Sequence, residues 1–237
     1  MNQLKNWDNK TWLSSKKYIK YFNIFLLKQI RLNKDSKILD IGCGRGKIMG
    51  SLATQLNLIN KPVGIDTIRH KDLNQKINFV KTDAASYLKK NKKKYDLVLI
   101  KQTIHFIPMS KIKLVIDLCK KSLNKKGKLL IMTLETENNQ IPCFALMKKE
   151  LNKNLKKDKK MIEKIKKLLP KTVTKKFLYR VRISRLKYIE MIKNRYISTL
   201  FKLKSKEISN GVNEIKRSFK RNIKFLDVLI CLRYTKY

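Results

Sequence analysis

Acidic residues are scarce in this chain. Seventeen Asp and Glu stand against fifty-eight Lys and Arg, leaving a formal net charge of +41 over 237 residues. That imbalance produces a strongly positive field and draws anions, whether nucleic acid, acidic lipid surfaces or small molecules. Lys far outnumbers Arg, however, and Asn and Ile are abundant, so drift in composition is preferred to a dedicated nucleic-acid surface, which is richer in the bidentate guanidinium. The four cysteines, Cys43, Cys119, Cys143 and Cys231, match no zinc or CxxC spacing. They read as reduced, mostly buried thiols, and no metal site is expected. No run approaches the roughly 18 apolar residues of a membrane span. The opening MNQLKNWDNK also lacks the apolar segment of a signal peptide. A soluble, cytoplasmic protein with no membrane span is the expectation.

Glycine is also sparse, with seven in all, and three of them crowd into one place. Lys37 to Ile48 reads KILDIGCGRGKI: a short apolar run ending in Asp40, then Gly42, Gly44 and Gly46, then helix-type sequence from Lys47 to Leu56. A strand, a tight turn and a helix begin a βαβ unit in which backbone approaches a ligand closely. The spacing narrows the ligand. A dinucleotide fingerprint needs G-x-G-x-x-G, but Lys47 or Met49 occupies the third glycine's place. A phosphate-cradling P-loop needs a hydroxyl after Gly46-Lys47, and Ile48 stands there.

Two further acids follow. Pro62 to Asp66 is a second apolar run ending in a carboxylate twenty residues after Gly46, a distance suited to a ribose diol. Ile77 to Val80 forms a third, with Asp83 and Ala84 just beyond; Asp83 alone also reads as a helix cap. A fourth strand, Tyr95 to Ile100, leads into Lys101, Gln102, Thr103, Ile104 and His105. His105 has the pKa range of a general base, with a structural histidine as the alternative. His70 is less well placed.

With Asp40-x-Gly42-x-Gly44-x-Gly46, Asp66 and Asp83 in hand, the chain resembles the class I S-adenosylmethionine-dependent methyltransferases. The resemblance implies a Rossmann-like α/β fold: a seven-stranded, mostly parallel sheet with helices on both faces and the last strand antiparallel, lying at the edge. It implies S-adenosylmethionine as cofactor. Asp40, Gly42, Cys43, Gly44 and Gly46 would take the methionine half, Asp66 and Thr67 the ribose, Asp83 and Ala84 the adenine, and Lys101 and Gln102 would lie nearby. It also brings His105 into the region of methyl transfer. The [ND]-P-P-[FY] turn of base-nitrogen enzymes is absent, KQTI standing in its place, and no cysteine suits cytosine C5 chemistry.

The flanks are read from periodicity. Ser14 to Arg31 is an amphipathic helix carrying Tyr18, Phe22, Phe25, Leu26 and Ile30, with Trp7 and Trp12 before it as a lid or a cover for the sheet. Ser110 to Leu123 is a helix, and Gly127 opens a fifth strand. A Lys-rich helical region fills Gln140 to Pro170, with its apolar stripe interrupted at Asp158. Lys175 to Ile183 alternates like a strand, and a closing strand starts at Phe225. Between those two lie Arg195, Tyr196 and Ser198, which with Tyr18 are substrate-binding candidates. Arg195 would hold a carboxylate or phosphate, or else form a structural ion pair. The whole, 1–237, reads as one domain: a helical arm at 1–35, a cofactor-binding core at 36–134, and helical insertions with closing strands at 135–237. The expected reaction is methylation of a small, possibly anionic molecule. RNA or an acidic protein is the alternative acceptor, and a non-catalytic cofactor-binding module is the alternative class.

Overall fold

The computed structural model describes residues 11–237. Trp7, half of the expected aromatic arm, lies outside them. In chain order the elements are α1 Lys16–Gln29, β1 Ile38–Ile41, α2 Lys47–Gln55, β2 Val63–Asp66, β3 Asn78–Lys81, α3 Ala84–Lys90 and β4 Tyr95–Lys101. They continue with α4 Ile112–Ser122, β5 Leu123–Leu134, α5 Ala145–Leu168, β6 Val173–Ser184, α6 Arg185–Lys193, α7 Ser205–Ser218 and β7 Asn222–Thr235.

The seven strands form one sheet in the order β3-β2-β1-β4-β5-β7-β6. β3, β2, β1, β4 and β5 pair in parallel, and β7 runs antiparallel to β5. The expected Rossmann-like sheet is therefore present, with one correction. The antiparallel last strand is not at the edge; β6 is. Side-chain chemistry explains the order. β7 carries the continuous apolar run Leu229 to Leu232, all buried, as an interior strand requires. β6 alternates, burying Phe177, Tyr179, Val181 and Ile183 while exposing Lys176, Arg180 and Arg182, the charged pattern that blunts a free edge.

Other boundaries differ from the periodicity reading as well, β6 starting at Val173 and β7 at Asn222. β5 begins at Leu123 rather than Gly127, because Leu123 pairs with Tyr95 before the register jumps to Leu97↔Lys128. α5 runs unbroken through Asp158. Met147, Leu151, Leu155, Asp158, Ile162, Ile165 and Leu169 recur at three- and four-residue steps, so Asp158 lies within the apolar stripe and does not interrupt it. Burial there pushes its carboxyl up to about 6.

The residues divide into two compact units. The larger comprises Ile19–Leu134, Lys160–Phe177 and Leu229–Tyr237; the smaller comprises the described residues through Tyr18, Glu135–Lys159 and Leu178–Val228. The larger unit holds the 36–134 segment entire. Its core gathers Leu39, Ile41, Val98, Ile100, Leu129 and Ile131 from the central strands. α4 contributes Ile112, Val115, Ile116 and Cys119, four positions on one helical face. Phe22 and Phe25 of α1 meet Phe177 edge-on, centroids 5.3 and 5.4 Å apart.

In the smaller unit α7 turns Ile208, Gly211, Val212 and Ile215 inward. A Cβ on Gly211 would stand 2.4 Å from the Phe144 ring, so only glycine permits that approach. Trp12 is buried here, its indole N–H donating to Asp227 at 2.8 Å and its ring edge-on to Tyr196 and Phe225. Of the two roles open to Trp12, the structure shows packing. No helix of the described residues is long and apolar enough to cross a membrane.

Candidate active site

The turn between β1 and α2 is a consequence of its glycines. Gly42, Gly44 and Gly46 all have positive φ, at 74°, 55° and 66°, which side chains other than glycine rarely adopt. Two of them are also boxed in: a Cβ on Gly42 would come 2.1 Å from Thr103 Oγ1, and one on Gly46 would come 2.2 Å from Ile77 Cδ1. The turn is stitched to β2 by the amides of Gly42 and Cys43, which both donate to the Ile65 carbonyl, at 2.8 and 3.1 Å.

Three carboxylates stand around it at the carboxyl ends of β1, β2 and β3, as the spacing predicts. Asp40 is buried, and no hydrogen-bond donor among the described residues reaches its side chain. Burial raises its carboxyl to about 7; the Lys101 charge opposes the rise and Asp66 adds to it. Asp66 accepts the Gly44 N–H through Oδ2 at 2.9 Å and the Ile68 N–H through Oδ1 at 3.1 Å, tying the second strand's end to the turn. Asp83 caps α3, with Oδ1 accepting from Ala85 and Ser86 at 3.0 and 3.1 Å. Hydrogen bonding from Ser86, side chain and backbone, holds this carboxyl below its usual range. Both backbone donors use the same one of its two oxygens.

The remaining residues expected from the sequence to meet the cofactor belong to the same larger unit. Cys43 is half-buried with its thiol directed to the Gly44 carbonyl; burial, then Asp40 and Asp66, push its pKa upward, so it stays neutral. Thr67 is exposed just after β2, and Ala84 opens α3. Lys101 ends β4, its ammonium 2.8 Å from Gln102 Oε1 and 5.4 Å from the Phe22 centroid. Gln102 takes a positive φ of 51°, and its amide donates to Met132 at 2.7 Å. Such backbone strain in a non-glycine residue clusters at functional sites.

His105 sits in a short 3-10 turn, Ile104–Phe106, its ring 4.2 Å from that of Phe106. Burial lowers its pKa to about 4, which leaves the imidazole neutral near pH 7 and a weaker proton acceptor than a free histidine.

One part of the site was not anticipated. Arg45, between the second and third glycines, is buried, and its Nε donates to both oxygens of Asp72 at 2.7 and 2.9 Å. Its carbonyl accepts the Asn74 amide at 3.0 Å. Asn74 also occupies the space beside Gly50, where a Cβ would fall 2.3 Å from its Cγ. The loop between β2 and β3 thus clamps the glycine turn from outside. A basic residue inside a glycine turn with an acid in the next loop was the only available signal.

The four substrate candidates belong to the smaller unit. Tyr18 is fully buried, edge-on to Tyr179 at 5.0 Å, and burial, Asp227 and Tyr179 raise its phenol well above the usual value. Tyr196 is buried with its hydroxyl 2.9 Å from that of Tyr188. Arg195 has φ 52° and donates to the Leu200 carbonyl; Ser198 opens a 3-10 turn. Among the described residues no group of three or more His, Cys, Asp or Glu is arranged to hold a metal.

The donor set can be tested against adenosylmethionine. The ligand presents an ammonium, a ribose diol and an adenine amine, all hydrogen-bond donors, and the rim presents three carboxylates in series. Asp40 is the most telling of these, since a buried carboxyl with no protein donor suits an incoming cation. The residues fit.

A family model described as a methyltransferase domain matches residues 15–175. The ubiquinone biosynthesis O-methyltransferase of Hydrogenovibrio crunogenus is 27% identical over 115 residues, 45% of this chain and 48% of that protein. The chain therefore spans about half the length of the curated relative it matches. Among solved structures, a methyltransferase from an antibiotic biosynthesis pathway of Anabaena variabilis superposes with a TM-score of 0.62 at 13% identity, covering 89% of this chain and 96% of that one. A methyltransferase from Geobacter sulfurreducens, solved with S-adenosyl-L-homocysteine, gives a TM-score of 0.56 at 13% identity, covering 98% and 97%.

Proposed function

The chain belongs to the methyltransferase-domain family, and from that premise we propose that it binds S-adenosylmethionine at the β1–α2 turn and methylates a small molecule. One observation carries the reading: three carboxylates lie at or just beyond the carboxyl ends of three successive strands, beside a turn in which all three glycines have positive φ. Both named neighbours above are methyltransferases, and one was solved with the demethylated cofactor. The curated relative's part in ubiquinone biosynthesis supports a small acceptor.

In this reading Asp40 holds the cofactor's ammonium, and Gly42, Cys43, Gly44 and Gly46 line its methionine half. Asp66 and Thr67 take the ribose hydroxyls, Asp83 and the Ala84 amide take the adenine, and Lys101 and Gln102 complete the rim. Bound adenosylmethionine supplies an activated methyl group for in-line displacement, so the protein's task is alignment and, where the acceptor needs it, removal of a proton. His105, after β4, is the proposed acceptor of that proton, although burial makes it a weak base in the free protein. Tyr18, Arg195, Tyr196 and Ser198 remain the proposed acceptor-binding set. The positive field favours anionic acceptors.

Incubation with methyl-labelled cofactor and a cell extract separated into small-molecule, RNA and protein fractions tests the reading. Label in the small-molecule fraction is expected. Label confined to RNA or to protein would overturn the acceptor class, and label in none would overturn the activity.

A further inference from the structure

We propose that the turn Phe106–Met109 docks on an anionic lipid surface. Phe-Ile-Pro-Met follows directly on His105. Ile107 packs inward against the core, whereas Phe106 is 46% exposed and Met109 39%, joined by Leu114 at 38% on the first turns of α4. The exposure does not come from a loose segment. Phe106 N–H donates to Thr103 O at 2.9 Å, Ile107 N–H to Ile104 O at 3.1 Å and Lys111 N–H to Pro108 O at 2.8 Å, while Ile104 and Ile112 on either side are buried. The fixed turn holds these apolar groups toward water, where a partner can reach them.

Its border is cationic. Lys164 Nζ donates to the Met109 carbonyl at 3.0 Å, and Lys111 and Lys113 are exposed immediately after the turn, Lys113 in an ion pair with Asp117 of the same helix at 3.0 Å. Apolar side chains that enter the acyl boundary, with lysines level with the phosphates, are the physical recipe for peripheral membrane binding. The chain's charge of +41 brings such a surface within reach of attraction.

The chemistry favours lipid over other anionic partners. A single-stranded nucleic acid asks for stacking platforms and guanidinium groups. This turn offers one aromatic ring among aliphatic groups, and the three bordering cations are lysines. A second copy of the chain would bring the same positive charge against it. A stable protein interface needs on the order of 1,000 Å² of buried surface, far more apolar area than three side chains supply. The position beside His105 would bring the methyl-transfer end to the interface; that corollary rests on the proposed function, whereas lipid binding itself is read without turnover.

The test is flotation of the full chain with vesicles of phosphatidylcholine alone or mixed with phosphatidylglycerol, at low and at physiological salt. Retention on the anionic vesicles at both salts is expected. The double variant Phe106→Ser/Met109→Ser should lose at least about tenfold in partitioning without any change of charge, while Leu178→Ser, which removes an exposed apolar group from β6, should retain it. Melting temperature and adenosylmethionine affinity, measured alongside, show that the double variant is folded. A second variant, Phe106→Trp, should gain a blue-shifted emission on the anionic vesicles. Equal binding by wild type and double variant would mean that charge alone acts and would overturn the proposal. So would no vesicle binding at all, a higher acceptor KM in the double variant with no vesicle binding, or retention on RNA in place of vesicles.

Discussion

Arg45 and Asp72 are joined through the arginine Nε to both carboxylate oxygens, at 2.7 and 2.9 Å, across twenty-seven residues of chain. The arginine side chain is buried and the aspartate half-exposed. Although partial burial tends to raise Asp72, the hydrogen bond and charge of Arg45 outweigh it and hold the carboxyl below its usual range. Because Arg45 stands inside the glycine turn, the pair couples the loop after β2 to the proposed cofactor cradle.

Asp72→Ala should therefore weaken adenosylmethionine binding by about three- to tenfold, because the cradle loses a support. The stability loss should be small, about 1 kcal/mol, since half of the pair is solvated. Asp72→Glu should recover part of the affinity. Calorimetric titration beside thermal melts separates the two effects, and unchanged affinity with a lowered melting temperature would reduce the pair to a structural tie.

Asp40 predicts a pH dependence. With its carboxyl at about 7, it is protonated below that value and charged above it. Affinity for the cationic cofactor should rise between about pH 6 and 8 as the carboxylate forms, and Asp40→Asn should flatten the rise. The stability of the free protein runs the other way. A carboxyl raised above its unfolded value of 3.8 stabilises at low pH, and that contribution is lost as pH climbs through 7. Melting of the free protein at pH 5 and pH 8 checks the sign.

His105 should titrate far from 6.5. With its pKa at about 4 it is neutral across the working range, so kcat at saturating cofactor should show no step near pH 6.5 attributable to this residue. His105→Gln should lower kcat about a hundredfold or more if the imidazole takes the acceptor's proton, and leave cofactor affinity unchanged. A step near 6.5 that disappears in the variant would contradict the burial.

Gly46→Ala should fail on two counts, a φ of 66° and a Cβ 2.2 Å from Ile77. Together these cost at least about 2 kcal/mol, and cofactor binding should be lost with the turn geometry. Trimming the obstacle in Gly46→Ala/Ile77→Ala would restore space but not the left-handed backbone. Only partial recovery is expected in a melt or a titration.

The legible parts of the fold and site share a physical reason. Glycine spacing and an acid ending an apolar run are local signals, so Gly42 to Gly46, Asp66 and Asp83 all come out at the strand ends where the pattern puts them. The insertion of β7 between β5 and β6 depends on pairing between distant segments, which periodicity does not encode. Only the difference between a continuous apolar run and an alternating one hinted at it. The Arg45–Asp72 clamp was hidden for the same reason, since it forms where two loops pack. Asp158 reads as an end because a charge stands in an apolar stripe, although a half-buried carboxyl of raised pKa stays within the helix.

In the proposed function the carboxylates around the β1–α2 turn hold adenosylmethionine. Isothermal titration of the wild type and of Asp66→Asn, which keeps an acceptor for the Gly44 N–H, gives up the one for Ile68 and removes the charge offered to the ribose, tests this most directly when a thermal melt shows the variant folded. Saturable one-to-one binding, weakened at least about tenfold in the variant, is the expected result. No saturable binding by the wild type, or equal affinity in the two proteins, would contradict the account.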